Sequence, residues 1–280
     1  MKFSLWTDHG ARNSKPVFAA FAESLLAAGH DVVYNETGAD KDVIWSVLWK
    51  GKMQANKSIF SKDTIVLEVG GIQRNVTWKV AIGGINREAY FGENGNGPGR
   101  AGELGLKLKS WHEIDTDRSG SIIICCQNRH SWAWRSQPST SEWLNGAIAS
   151  IRKRTDRPVV IRPHPRDPLS GTWSKLSNVT VQRPVMIRGT YDDFDYNPLE
   201  AWAVVNWSSN PATEAVMNGI PVFTGPDSLA WDVANHSLDT IDAPETPDRA
   251  QWLNDLAYTE WTVEEIQKGL PLKRLTDRLF

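Results

Sequence analysis

Three short segments of this 280-residue chain gather residue types that bind phosphate. Arg162-Pro163-His164-Pro165-Arg166 follows an apolar run that ends at Ile161. Arginine forks onto phosphate oxygens, and histidine donates to a bridging oxygen or shuttles a proton. Ser208-Ser209-Asn210-Pro211-Ala212-Thr213-Glu214 joins a second apolar run to a helical pattern. Free backbone N–H groups, the positive end of the dipole and the hydroxyls of Ser208, Ser209 and Thr213 would make an anion site there. The same residues also suit a plain N-cap with a capping box. Gln127-Asn128-Arg129-His130 ends a third apolar run with further polar donors. Against these readings stands a simpler one, in which the prolines shape turns and the arginines lie on the surface.

The elements that must position these groups alternate along the chain. Strands are expected at 3–6, 31–34, 43–48, 64–69 and 76–82, with helices over 16–26 and around 53–60. The pattern restarts with strands at 122–126, 158–162, 179–182, 202–206 and 221–224, and helices over 140–154 and 211–218. Such alternation implies largely parallel sheets, and therefore an α/β protein of two Rossmann-like domains facing a cleft. The expected domains are 1–114 and 115–264, with helical residues 265–280 crossing back to the first. Ligands of open parallel sheets bind outside the carboxyl ends of the strands, which is where all three polar segments fall.

Composition narrows the class. Hydrophobic residues at 40% and charged residues at 23% are ordinary globular usage, and a net charge of -2 gives no global positive field for nucleic acid or an anionic membrane. The chain shows no signal peptide and no apolar stretch near 18 residues, and adjacent Cys125 and Cys126 read as reduced core residues, so a cytosolic location is expected. Fourteen tryptophans exceed normal usage. Those in polar surroundings (Trp132, Trp134, Trp207, Trp231) suit either ring stacking or core packing. The glycine-rich stretch 92–105 lacks dinucleotide-site spacing and reads as a mobile loop or lid. Asp115 to Gly120 imitates the start of a calcium loop, but Cys126 stands where a bidentate glutamate is required; residues 111–120 read instead as a linker. No Asp-x-Asp pair sits at a strand end in the second sheet, where Asp193-Phe194-Asp195, in a tyrosine-rich loop, is the close imitation, so no catalytic metal is expected.

The run RPHPR followed by NWSSNPATEAVMNGIPVFTGPDSLAWDVA, about a third of the chain, resembles the C-terminal half of capsule-type glycosyltransferases of the two-Rossmann (GT-B) architecture. That resemblance implies a nucleotide-sugar co-substrate of UDP or CMP type and no other cofactor. It implies donor contacts from Arg162, His164, Arg166, Ser208, Ser209, Asn210 and Thr213, with Glu214 reaching a ribose or sugar hydroxyl. Gln127, Asn128 and Arg129 resemble the family's polar turn, although an acidic residue often stands where this chain has Asn128-Arg129-His130. The segment LEVGGIQRNVTWKVAIGGINREAYF resembles small phage-encoded glycosyltransferases that decorate hydroxymethylated DNA bases, which implies a DNA acceptor met by His9, Arg74, Arg87 and Arg100. Deprotonating an acceptor hydroxyl needs a general base, and Asp8 and Glu68 are the candidates, with His164 assisting the leaving group. Asp8 also suits a helix-capping turn, and Glu68 an arginine-paired structural carboxylate. Other readings are an epimerase or polyol-phosphate transferase on the same scaffold, or a non-catalytic module that binds glycan or nucleic acid through its tryptophans.

Overall fold

The computed structural model describes residues 1–111, 120–169, 171 and 173–279. The linker and calcium-loop readings therefore fall largely outside the described residues. The chain divides into two compact units, Met1–Arg100 with Asn254–Phe280, and Ala101–Leu253. Both are α/β.

Five strands open the first unit: β1 (Lys2–Leu5), β2 (Asp31–Tyr34), β3 (Lys41–Trp45), β4 (Ile65–Val69) and β5 (Thr77–Ile82). Five more build the second: β6 (Ser121–Cys125), β7 (Val159–Arg162), β8 (Val179–Val181), β9 (Ala201–Asn206) and β10 (Val222–Phe223). A last strand, β11 (Glu260–Thr262), returns to the first unit, giving the order β11-β5-β4-β3-β1-β2. β2, β1, β3 and β4 are parallel, whereas β5 and β11 are antiparallel to their neighbours. The second sheet is wholly parallel, in the order β10-β9-β6-β7-β8.

Helix α1 (Lys15–Ala27) follows β1 and carries Val17, Phe21 and Leu25 at four-residue spacing. All three are fully buried with Phe3, Leu5, Trp45 and Leu67 of the sheet, each contributing roughly 1.5–3 kcal/mol. Pro16 sits in the first turn, and Gly29, at φ +80°, takes the left-handed position beyond the end. Within the glycine-rich stretch read as a loop, a short helix α2 (Gly99–Glu103) forms.

In the second unit α3 (Thr140–Arg152) starts with a reciprocal capping box between Ser139 and Glu142. It buries Leu144, Ile148 and Ile151 against Ile122, Ile124 and Ile161. Helix α4 (Pro211–Met217) joins β9 to β10. The second division point falls in α5 (Ala250–Leu256). Three short helices, α6 (Val263–Gln267), α7 (Leu270–Arg274) and α8 (Thr276–Leu279), complete the first unit and place Ile266, Leu272, Leu275 and Leu279 in its core. No described helix is long and apolar enough to cross a membrane.

Candidate functional site

The last rung of the second sheet aligns Arg162 of β7, Cys125 of β6 and Asn206 of β9. His164, Gln127 and Ser208 stand two residues further along each strand, so the three polar segments leave the sheet at one level. The chain runs outward from β6 through β7 to β8, then returns to β9 and β10 on the other side of β6. Connections diverge between β6 and β9, and such a switch point opens a crevice at the carboxyl edge. Ser208 Oγ donates to Gln127 Oε1 at 3.5 Å across it. Asn128 Nδ2 lies 3.5 Å from His164 Nδ1, linking β6 to β7.

His164 Nδ1 accepts from the Arg166 amide at 3.1 Å, so the neutral ring carries its proton on Nε2. Arg162 is 8% exposed, and its Nη2 donates to Asp195 Oδ1 at 3.0 Å. Its guanidinium lies 5.6 Å from the Tyr196 ring, whose hydroxyl donates to the carbonyl of Pro211 at the start of α4. Burial raises the Glu214 carboxyl above its usual range and nearby Asp193 adds to this, against the opposing charge of Arg162. Arg162, Tyr196 and Glu214 thus stand together beside the Ser208–Asn210 turn. Asp195, half of the only aspartate pair singled out in the sequence, is a partner of Arg162. Among the described residues no group of three or more His, Cys, Asp or Glu is placed to hold a metal ion.

The expected donor residues differ in availability. Asn206 Nδ2 donates to the carbonyl and hydroxyl oxygens of Ser209 at 2.8 and 3.1 Å, fixing that turn. Asn210 occupies the N-cap of α4 without a side-chain cap bond, and the capping box considered for this segment does not form. Thr213 is corrected: it is 4% exposed and its hydroxyl donates back to the Asn210 carbonyl at 2.8 Å, which removes it as a phosphate donor. Arg166 pairs with Asp192 at 2.9 Å. Arg129 Nε and Nη2 donate to Asp167 Oδ1 at 2.8 and 2.6 Å, and its amide donates to Oδ2 at 2.8 Å.

Sequence reading missed the Asp167 pair, because its partners are 38 residues apart. Burial opposes ionisation of Asp167, yet the hydrogen bonds and charge of Arg129 hold its carboxyl below the usual value. A depressed carboxylate contributes stability above its unfolded pKa and loses it as pH falls through the folded value. Asp167→Asn is therefore expected to lower the urea midpoint at pH 7 and to flatten its decline below about pH 4. A parallel decline in both proteins would contradict this account of the pair.

In the first unit the switch lies between β1 and β3, and Asp8 and His9 follow β1 in a 3-10 turn, Thr7–His9. Asp8 is exposed, its amide donating to Asn35 Oδ1 at 3.0 Å. His9 Nδ1 lies 3.2 Å from Asn56 Oδ1, and Asn56 Nδ2 donates to the Trp45 carbonyl at 2.7 Å, reaching the end of β3. The next residue, Ser46, is 2% exposed at φ +66°, an uncommon conformation for a residue with a side chain. Its hydroxyl donates to Glu68 Oε2, while Glu68 Oε1 accepts from the Val69 amide at 2.7 Å. Burial raises the Glu68 carboxyl, although Ser46, Val69, Lys79 and Arg74 oppose the shift. Lys79 faces Glu68 in register on β5, with Glu260 beyond it on β11. Burial lowers its amine against the pull of Glu260 and Glu68. Nothing in the sequence marked Ser46, since a left-handed residue after a strand has no signature when it is not glycine.

Arg74 acts on Glu68 and Lys79 by charge, and Arg87 is exposed. Arg100 is corrected as an acceptor contact. It is 4% exposed, bonds the carbonyls of Ala257 and Glu260, pairs with Glu265 at 2.6 Å and lies 3.9 Å from the Trp261 ring. It fastens the returning C-terminal segment to the first unit. Arg100→Ala leaves the Glu265 carboxylate and two carbonyls without their donor, an expected loss of about 3 kcal/mol in urea unfolding; a loss under about 1 kcal/mol would refute that role. The tryptophans noted above are partly structural: Trp134 is buried edge-on to Trp143 and Trp207, and Trp231 stacks on His236.

Both units are thus α/β folds on mainly parallel sheets, each with polar groups at its switch point. The chain is similar to the solved structure of Thermosulfurimonas dismutans KpsC, beta Kdo 2,7 transferase (14% identity, 98% of this chain and 100% of that one, TM-score 0.48). It is similar to a second such structure, the beta Kdo 2,4 transferase of that KpsC (12% identity, 97% and 98%, TM-score 0.49). A third is spinosyn rhamnosyltransferase SpnG complexed with spinosyn aglycone (12% identity, 100% and 96%, TM-score 0.29). No family model matches the chain, and no curated protein sequence matches it.

Proposed function

We propose that the protein is a glycosyltransferase whose C-terminal unit, Ala101–Leu253, holds a nucleotide-activated sugar of UDP or CMP type. The observation that supports this reading is the level carboxyl edge on which Gln127, His164 and Ser208 meet beside buried Arg162. Arg162 and the Nε2–H of His164 are assigned to the phosphate oxygens, where they stabilise the charge that develops as the glycosidic bond breaks. These donors make a metal-independent departure of the nucleotide feasible. The turn Ser208–Ser209–Asn210 adds hydroxyls, and Glu214 with its raised pKa is suited to bonding a ribose or sugar hydroxyl. In the N-terminal unit Glu68 is the base we assign to the acceptor hydroxyl, because burial favours its taking up a proton. Exposed Asp8 is the second candidate. The acceptor we favour is a hydroxymethylated pyrimidine of DNA, approached by Arg74 and Arg87.

A thermal-shift series with UDP, CMP and their sugar conjugates tests the donor assignment. One nucleotide at 100 times its Kd is expected to raise Tm by on the order of 5 °C. If none shifts Tm and no conjugate is hydrolysed, the assignment fails.

A further inference from the structure

We propose, resting on the donor reading above, that Asp192 and Asp195 set donor affinity by competing with its phosphate for Arg166 and Arg162, so that donor binding releases the hairpin that carries them. The second sheet is wholly parallel, and Val181, the last residue of β8, is level with Ile161 of β7. Gln182 still donates to the Ile161 carbonyl at 2.9 Å. The chain after β8 therefore emerges at the same edge as Arg162. There residues 185–195 fold into a short antiparallel hairpin. The Ile187 amide donates to the Asp193 carbonyl and the Asp195 amide to the Val185 carbonyl, each at 2.9 Å, with Met186 opposite Phe194.

The hairpin meets both arginines of the Arg162–Arg166 segment in the same way. Asp195 Oδ1 accepts from Arg162 Nη2 at 3.0 Å, and adjacent Tyr196 sets its ring 5.6 Å from that guanidinium. Asp192 Oδ1 lies 2.9 Å from Arg166 Nε, and adjacent Tyr191 sets its ring 5.5 Å from that guanidinium. The Arg162 contact uses one N–H and one oxygen, and that oxygen is shared with the Val185 amide at 2.8 Å. It falls short of the bidentate fork a guanidinium makes with a well-placed anion. A phosphate brings more charge and more acceptor oxygens than a carboxylate, so it outcompetes such a contact. Apolar burial gives the hairpin little support, since Val185, Met186 and Ile187 are 64, 57 and 43% exposed. A lone two-stranded hairpin is marginal in water, and loss of both arginines loosens it.

Titration calorimetry and amide hydrogen exchange on the full chain, with UDP and with CMP as probes, test the proposal. Asparagine keeps the shape of each aspartate and removes its charge. Asp192→Asn combined with Asp195→Asn is therefore expected to bind whichever nucleotide the parent takes about 5-fold more tightly. Asp193→Asn removes the same charge from a carboxylate of the hairpin that bonds the Phe194 amide, and should leave affinity unchanged. In the parent, saturating nucleotide should speed exchange at Ile187 and Asp195 about 10-fold, a measurement that needs no variant to fold. Equal or weaker binding by the double variant, an equal gain from Asp193→Asn, or exchange that nucleotide slows or leaves unchanged overturns the competition alone. Absence of UDP and CMP binding to both the parent and the double variant overturns the donor reading with it.

Discussion

Arg162→Ala combined with His164→Ala is expected to weaken nucleotide-sugar binding by on the order of 10²–10⁴-fold, the largest effect of any change in the second unit. Each residue is assigned a charge-assisted or strongly polarised hydrogen bond to phosphate, worth about 1.5–3 kcal/mol, and each 1.4 kcal/mol is tenfold in Kd. The variant should still fold. Asp195, left by Arg162, is 47% exposed and retains the Val185 amide at 2.8 Å. His164 accepts a backbone amide at Nδ1 and lies at the weak limit of a bond with Asn128. Calorimetric titration with the nucleotide that shifts Tm, alongside circular dichroism, is the measurement. Unchanged affinity in a folded double variant would remove the basis for a donor site at this edge.

Glu68→Gln is expected to lower kcat by on the order of 10²–10⁴-fold while leaving donor affinity intact, the usual size of a general-base contribution. The pH profile carries the sharper test. A base works ionised, and burial raises this carboxyl above 4.5, so the acid limb of kcat/KM should lie above the ordinary glutamate range. The stability linkage has the opposite sense. A carboxyl with a raised folded pKa favours the folded state in acid, and that contribution is lost as pH rises through the folded pKa. Glu68→Gln should remove both dependences together. If Asp8→Asn abolishes turnover and Glu68→Gln does not, the base is the exposed residue of the β1 turn.

Much of the sheet framework is legible in the sequence. β2 falls at 31–34 as expected, and β4, β5, β6, β7 and β9 each differ from their expected bounds by one residue or two. β4, β5, β6, β7 and β9 are largely buried on both faces, so each reads as a short, mostly apolar run, whereas β2 is a half-exposed edge strand. β11 was not legible. Its three residues carry a charged glutamate, and pairing with β5 some 180 residues earlier leaves no local trace. Likewise the unit boundary at Arg100 lies ahead of the polar stretch that read as a linker, because it is set by packing and not by composition.

By itself the sequence determined which residues could do chemistry: short-range patterns make the strands, and polar segments after them must lie at the carboxyl edges. Only the tertiary structure decided which of those groups keep that capacity. It turned Thr213 onto its own helix, sealed Arg100 beneath the C-terminal segment and paired Arg129 with Asp167. It also placed Ser46 against Glu68 and left Asn206 and Thr224 with unpartnered oxygens. Thr213 makes a local bond three residues back, but the physical reason is common to the Arg100, Arg129 and Ser46 pairings. A hydrogen bond or ion pair joins groups by their separation in space, and residues 22 to 165 positions apart along the chain become neighbours only through packing.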